Sequence, residues 1–442
     1  MRVRVIASAA AVALLVAGCG NSKGGNASGS STTAGSGGST ATSTGGGAKV
    51  PVTAPGVTDS EIHVEGVASI TNPLGGKYDT ADDGVNAYFA KVNSEGGVNG
   101  RKLVLDGVRD DKLANNTSEV KGLIDDNKAF AAIPMASLLF TGADQLVEAK
   151  VPTFGWTINP EWQGTPDNQK LNLFGQTGSY LCLGCEQVGP AYVAKLAGKS
   201  KMGLLAYNVP QSAQCLQGWN KSIERWGKDS GTKVVFTDSS LGYGTTDLSV
   251  QVQKMKDAGV DIVATCMDNN GVVTLAKEMK KQGLDAIQFL PNAYDQSFLD
   301  EYGDLFEGSY VLTDFSPLET PAKLRPQGLK DYEKWIGSTG GQKTENSIVG
   351  WLNADLFVQG LKQAGPQFDR QKVIDGVNSL TDYNADGMIA GVDWSRYGHY
   401  QRSNIGCASY LKVKDSTFTP TTDKGVFTCF DFNSDKLTPT YK

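Results

Sequence analysis

From Ile62 onward, short runs rich in apolar residues alternate with longer stretches whose apolar positions recur every three or four residues. The first pattern predicts strands and the second amphipathic helices. Strands are expected at Ile62–Ser69, Lys102–Gly107, Ala131–Pro134, Val151–Gly155, Lys201–Tyr207, Lys233–Asp238, Ile262–Thr265, Ile287–Leu290 and Ser309–Leu312. Helices are expected between them, at Asp82–Ser94, Thr117–Asn127, Gly142–Lys150, Gln214–Asp229, Leu248–Ala258 and Gly271–Gln282. Residues 87–111, AYFAKVNSEGGVNGRKLVLDGVRDD, show the unit in full: a helix end, a glycine turn at Gly96-Gly97, a strand and an acidic pair. The two glycines supply backbone freedom that other residues resist. Repeated β–α alternation predicts an α/β fold with parallel sheets covered by helices on both faces.

The body after residue 49 is about 390 residues long, beyond the size at which one core usually stops growing, so two lobes are expected. In parallel sheets, ligands gather beyond the carboxyl ends of the strands. Three such ends in the first half are polar. They are Ser69-Ile70-Thr71-Asn72-Pro73-Leu74-Gly75-Gly76-Lys77-Tyr78, then Ala136-Ser137-Leu138, then Trp156-Thr157-Ile158-Asn159-Pro160-Glu161. Hydroxyls and backbone N–H groups near helix starts suit an anion. Ser137 and Thr157 equally suit the simpler role of helix caps, and the two roles are compatible.

Ahead of this body, Arg2 and Arg4 precede an apolar run from Val5 to Val16, and Ala17 and Gly18 follow. This is the layout of a secretory signal, and the run is too short to span a bilayer. From Gly20 to Lys49 the chain is almost entirely Gly, Ser, Thr, Asn and Ala, a composition that cannot bury enough surface to fold. A flexible tether of about 30 residues reaches on the order of 30 Å. The net charge of −6 offers no basic surface for phosphates, so nucleic acid is not an expected partner.

Setting Cys19 aside leaves six cysteines: Cys182, Cys185, Cys215, Cys266, Cys407 and Cys429. An even set outside the cytoplasm predicts disulfides, although six cysteines allow 15 pairings. Cys407 and Cys429 flank a polar loop in a strand-rich stretch and are the first pair expected. Cys215 and Cys266 close successive β/α units and can meet, and Cys182-Leu-Gly-Cys185 reads as a local disulfide rather than a redox or zinc motif. Asp382, Asn384, Asp386, Gly387 and Asp393 carry the spacing of a calcium loop, with Asp in the final place that usually holds Glu. Ile389–Trp394 reads as a strand rather than the following helix, so an Asx-rich turn is expected there and no metal site is assigned. The chain has two histidines, His63 facing outward from the first strand and His399 in a polar, Tyr-rich stretch. It carries no nucleophile elbow, zinc-protease helix, phosphate loop or dinucleotide fingerprint, so neither catalysis nor a cofactor is expected.

The stretch 87–111, together with the ungapped spacing from Ser137 to Asn159-Pro160-Glu161, resembles the extracytoplasmic solute-binding proteins of the leucine/isoleucine/valine-binding branch. The likeness continues through Leu241–Leu312, including Val260-Asp261-Ile262-Val263 and Gly283-Leu284. It implies the type I periplasmic binding protein fold, two Rossmann-like lobes joined by a three-crossover hinge. Lobe 1 would comprise 50–176 and 315–392, and lobe 2 177–314 and 393–442. Val16-Ala17-Gly18-Cys19 resembles a lipobox, which makes 1–19 the signal, Cys19 the lipidated residue and 20–49 the tether.

The resemblance further implies that Ser137 grips a solute carboxylate, helped by Thr157 and the backbone at Leu138, with Tyr78 and Trp156 beside the solute. From the second lobe Tyr207, Asp268, Asn269 and Asn292 would complete the site. The family's ammonium-binding acid falls at Asn292, which is neutral, so Asp268 is the available substitute and "small polar solute" is the expected ligand class. The implied role is a monomeric, membrane-anchored receptor that presents its solute to the permease subunits of an ABC importer. A sensor of the same fold acting through a separate membrane protein, and a non-binding structural lipoprotein, are the alternatives.

Overall fold

Two separate sheets carry the alternation in this computed structural model, which describes residues 50–290, 292–396, 398–401 and 406–442. The expected signal, the Cys19 lipobox and the tether lie outside the described residues. The first sheet is built from β1 (Glu61–Ala68), α1 (Thr80–Ser94), β2 (Lys102–Asp110), α2 (Asn116–Asp126), β3 (Ala131–Ala136), α3 (Ala143–Glu148), β4 (Thr153–Gly155) and β5 (Leu173–Gly175). Its strand order is β2-β1-β3-β4-β5 and every pair is parallel. All of β3 is buried, as a central parallel strand covered on both faces requires. His63, facing out from β1, is only half-buried and meets Asp106 on β2 at 2.8 Å.

The chain then enters the second sheet through α4 (Gly189–Ala197), β6 (Lys201–Tyr207), α5 (Pro210–Ser230), β7 (Lys233–Leu241), α6 (Ser249–Asp257), β8 (Ile262–Cys266), α7 (Asn269–Gln282), β9 (Ile287–Leu290), α8 (Gln296–Tyr302) and β10 (Tyr310–Thr313). These strands pair in parallel in the order β7-β6-β8-β9-β10. Three helices follow, α9 (Gln327–Thr339), α10 (Glu345–Ala364) and α11 (Arg370–Asn378), and α10 packs on α1, β3 and β4 of the first sheet. The chain returns to the second sheet as β11 (Cys407–Lys414), β12 (Thr417–Pro420), β13 (Thr428–Cys429) and β14 (Thr440–Tyr441). These last strands pair antiparallel, β11 with β10, β12 and β13, and β13 with β14.

The chain thus passes three times between the sheets: after β5, after β10 and before β11. Asp314 ties the first two passes, its Oδ2 accepting from Gln176 Nε2 at 3.1 Å and Thr177 Oγ1 at 3.0 Å. Three disulfides join Cys182 to Cys185, Cys215 to Cys266 and Cys407 to Cys429. The last pair sits directly across the β11–β13 ladder. The calcium-loop spacing folds as a turn: Asn384 Oδ1 accepts from the Gly387 N–H, and Asp393 Oδ1 accepts from the Ser395 N–H and hydroxyl. No cluster of three or more potential metal ligands of the His, Cys, Asp or Glu type occurs among the described residues. Ile389–Trp394, expected as a strand, makes only isolated bridges from Ile389 and Val392, and Gly391 between them has a φ of +109° that interrupts extension.

The α1–α10 crossing anchors the first lobe. A Cβ on Gly84 would lie 1.8 Å from the Ser347 carbonyl oxygen, and one on Gly350 would lie 2.0 Å from that of Ala81. Only glycine permits that approach. Beneath the crossing, the Tyr88 hydroxyl donates to Asp355, which also accepts from Gln359 Nε2 at 3.1 Å. Burial holds the Asp355 carboxyl above the usual carboxylate range. Tyr88→Phe removes one of the Asp355 donors and should destabilise the protein by about 1–3 kcal/mol, read as a lower urea midpoint with an unchanged slope.

Candidate functional site

In a parallel sheet each strand delivers its last residues to the same edge, and both sheets bring these ends to one cavity of about 90 Å³. The first sheet contributes Tyr78 beyond β1, Leu138 beyond β3 and Trp156 beyond β4. The second contributes Tyr207 at the end of β6, Met267 and Asp268 beyond β8, and Asn292 beyond β9. Of the residues singled out in the sequence, six therefore line one space: Tyr78, Leu138, Trp156, Tyr207, Asp268 and Asn292. Asn269 lines a smaller adjoining pocket with Tyr78, Trp156, Asp268 and Asn292.

Asp268 is divided between structure and site. Its Oδ1 caps α7 by accepting from the Gly271 N–H at 3.0 Å, whereas its Oδ2 is buried without a partner. The Tyr207 hydroxyl, 2 % exposed as a residue, also lacks a hydrogen bond of standard geometry. Burial, followed by the nearby Asp268 charge and an interaction of the hydroxyl with that carboxyl, pushes the phenol well above its ordinary value, so the two groups partly satisfy one another. A buried polar atom left unpaired costs roughly 1–3 kcal/mol, which a bound polar group can recover. Tyr78 and Trp156 form an aromatic wall with ring centres 5.8 Å apart, and Tyr243 stands edge-on to Tyr207 at 5.2 Å.

Ser137 and Thr157 are not among the residues lining the cavity. The Ser137 hydroxyl accepts from Asn116 Nδ2 at 2.9 Å and is turned towards the Val67 carbonyl. Thr157 Oγ1 is buried without a partner, against Gly175. The Leu138 N–H donates to Ser69 Oγ at 3.0 Å, and the Leu138 carbonyl accepts from Asn159 Nδ2 at 2.6 Å. That last bond gives the spacing from Ser137 to Asn159-Pro160-Glu161 a structural purpose: it fixes one strand-end loop against the next.

Three further residues matter and were not singled out in the sequence. Gln211, at the start of α5, donates to the Leu138 carbonyl at 3.1 Å and so links the two lobes across the cavity. Tyr243 follows β7 and completes the wall. Glu345, the first residue of α10, lines the adjoining pocket and a larger cavity behind Trp156 and Asn292. Its carboxylate has no hydrogen bond or ion pair among the described residues. Burial, then the charges of Asp314 and Asp295, push its pKa up to about 8. Two further contacts span the mouth: Lys77 Nζ lies 2.6 Å from Ser297 Oγ and 3.5 Å from Asp295, and Asn270 Nδ2 donates to the Pro73 carbonyl at 2.9 Å.

The sequence profile of the periplasmic binding protein family matches residues 68–417. The chain belongs to this family. Its members are binding proteins rather than enzymes. Among curated relatives, the Leu/Ile/Val-binding protein homolog 7 of Brucella suis is 24% identical over 319 residues, covering 69% of this chain and 77% of the relative. A branched-chain amino acid ABC transporter protein from Thermus thermophilus, solved with bound valine, superimposes with a TM-score of 0.64 at 20% identity, covering 82% of this chain and 96% of the other. A fatty acid ABC transporter substrate-binding protein from Thermomonospora curvata gives a TM-score of 0.62 at 17% identity, covering 84% and 93%. These likenesses establish the two-lobed type I fold, and the family places the protein outside the cytoplasm.

Glu345 should make stability depend on pH. Its carboxyl holds a proton up to about pH 8 when folded, against an ordinary value of 4.5. Between those values the folded chain binds more protons than the unfolded chain. Its contribution is therefore fully present below about pH 4.5 and is lost as the pH rises through 8. The slope is at most about 1.4 kcal/mol per pH unit. Urea melts of the wild type between pH 5.5 and 8 should show the decline, and Glu345→Gln should flatten it.

Proposed function

We propose that this periplasmic binding protein is a lipid-anchored receptor that captures a small solute, an amino acid, amide or related carboxylate, between two closing lobes and passes it to an ABC importer. The observation that carries this reading is the cavity between opposed strand ends, in which Asp268 Oδ2 and the Tyr207 hydroxyl are buried without a hydrogen bond of standard geometry. Such a space is built to recover the cost of two polar atoms when a solute enters. The relatives named for branched-chain amino acids support a solute with a carboxylate and an ammonium group. With Asn292 neutral, Asp268 is the group assigned to an ammonium, and Trp156 and Tyr78 flank the solute's apolar part. Ser137 and Thr157 act by supporting the strand-end loops, and Asn269 stands at the entrance.

The division into lobes follows the three passes of the chain. One lobe takes 50–176 and 315–392, and the other 177–314 and 393–442. These passes are the hinge about which closure occurs. Cys19 carries the lipid, and the segment 20–49 is the tether.

A thermal-shift panel of branched, aromatic and straight-chain amino acids, amides and short carboxylates tests the reading. A solute at about 100 times its dissociation constant adds roughly 2.7 kcal/mol of stability. For an amino acid that binds, Asp268→Asn should weaken affinity at least tenfold. Ser137→Ala should cost about 1 kcal/mol of stability yet leave affinity within about threefold, because its hydroxyl is bonded inside the lobe. The reverse result, lost affinity at unchanged stability, would put Ser137 on the solute. In the native host, Cys19→Ala should move the protein from the membrane fraction to the soluble fraction, and retention at the membrane would exclude Cys19 as the anchor.

A further inference from the structure

The cavity at the strand ends does not stop at Trp156 and Asn292. A second space of about 160 Å³, larger than the first, shares Trp156, Ile158, Leu183, Cys215 and Asn292 with it. Its remaining walls include Val188 and Pro190 at the start of α4, Trp219 on α5, Leu312 on β10, and Ala408 and Tyr410 on β11. Those surfaces are mainly apolar. The carboxyls that border it are Asp314 and Glu345, and burial raises the pKa of both, that of Glu345 to about 8. Its polar side chains include Gln187, Asn292, Thr313, Asp314 and Glu345, and the apolar remainder of the wall offers water few partners. Trp219 is fixed by stacking on Phe289 at 5.1 Å, and Tyr410 stands edge-on to Tyr192 at 4.9 Å, so the walls are held open by packed rings.

We infer that this second space is an apolar arm of the solute site, and that the solute is amphipathic, with a polar head between the lobes and an extended hydrocarbon or aromatic tail in the arm. The inference rests on the solute-receptor reading above and narrows its ligand class. A tail there lies against Leu183 and Val188 after the first pass between sheets, Leu312 and Thr313 before the second, and Ala408 after the third. It would therefore be gripped by the segments on which closure turns.

The test uses two straight-chain series on the purified chain by isothermal titration: alanine, norvaline, norleucine and homonorleucine, and the acids from butyrate to octanoate. Affinity should rise about fourfold for each methylene added beyond the size of valine, in at least one series, since each buried methylene contributes about that factor. Ala408→Phe, which fills the arm, should remove this gain while the shortest binding member keeps its affinity. Leu312→Phe on the neighbouring strand provides the same test if Ala408→Phe does not fold. Short members that bind with no gain from added methylenes would overturn the arm and leave the solute-receptor reading standing. A chain-length gain that survives in both filled variants would also overturn it. Silence across both series and across valine, leucine and phenylalanine would overturn both.

Discussion

Parallel strands can follow one another only if the chain returns over a face of the sheet, so each strand ends at the same edge as its neighbours. Every feature of this site depends on that constraint. Tyr78, Leu138 and Trp156 stand together because β1, β3 and β4 all finish there, and Tyr207, Asp268 and Asn292 stand together because β6, β8 and β9 do. One sheet of this kind gives an open edge. Two such edges, joined by a chain that passes three times between the sheets, give a cavity between them. Asp314, which receives both Gln176 and Thr177, fastens two of those passes at the border of the cavity, so the geometry of the hinge and of the site are set by the same group.

The electrostatics are unusual for a binding cavity. Asp268, Asp295, Asp314 and Glu345 surround it, and Lys77, paired with Asp295, is the basic residue at its mouth. Burial, then the charges of Asp314 and Asp295, pushes the Glu345 carboxyl up to about 8, and burial raises that of Asp314. Asp268 is the carboxyl in the chamber itself, with one oxygen committed to the cap of α7. The neutral Asn292 sits where the resemblance places an acid. The proposed reading moves the acidic partner from the end of β9 to Asp268 beyond β8, and Asn292 borders both the cavity and the larger space beside it.

Much of this was legible in the sequence where hydrophobic period and turn chemistry agreed. The strands at Lys201–Tyr207 and Ile287–Leu290 have the predicted bounds, and the others differ by a few residues at their ends. The helices α9 to α11 were not proposed from pattern. In α10 apolar residues occur on nearly every face, because it is buried between α1, α11 and the first sheet, so it lacks the one-sided stripe that marks a surface helix. Glu345 was hidden for a related reason. Behind Thr344, a capping residue, an acid in the first turn reads as a partner of the helix dipole, and only the fold reveals the cavity in front of it. Ser137 shows the opposite: its place at a strand end was legible, but the direction of its hydroxyl is decided by Asn116, which no local pattern connects to it.

The contacts that hold the lobes together are weak ones. Gln211 to the Leu138 carbonyl, Asn270 to the Pro73 carbonyl, and Lys77 to Ser297 and Asp295 are single polar bonds, the last two at the surface. Each contributes at most about 1 kcal/mol beyond what water would supply to the open form. Under the proposed closing motion, contacts this modest leave the balance between open and closed forms to the solute, which can pair with the Asp268 and Tyr207 polar atoms in the cavity.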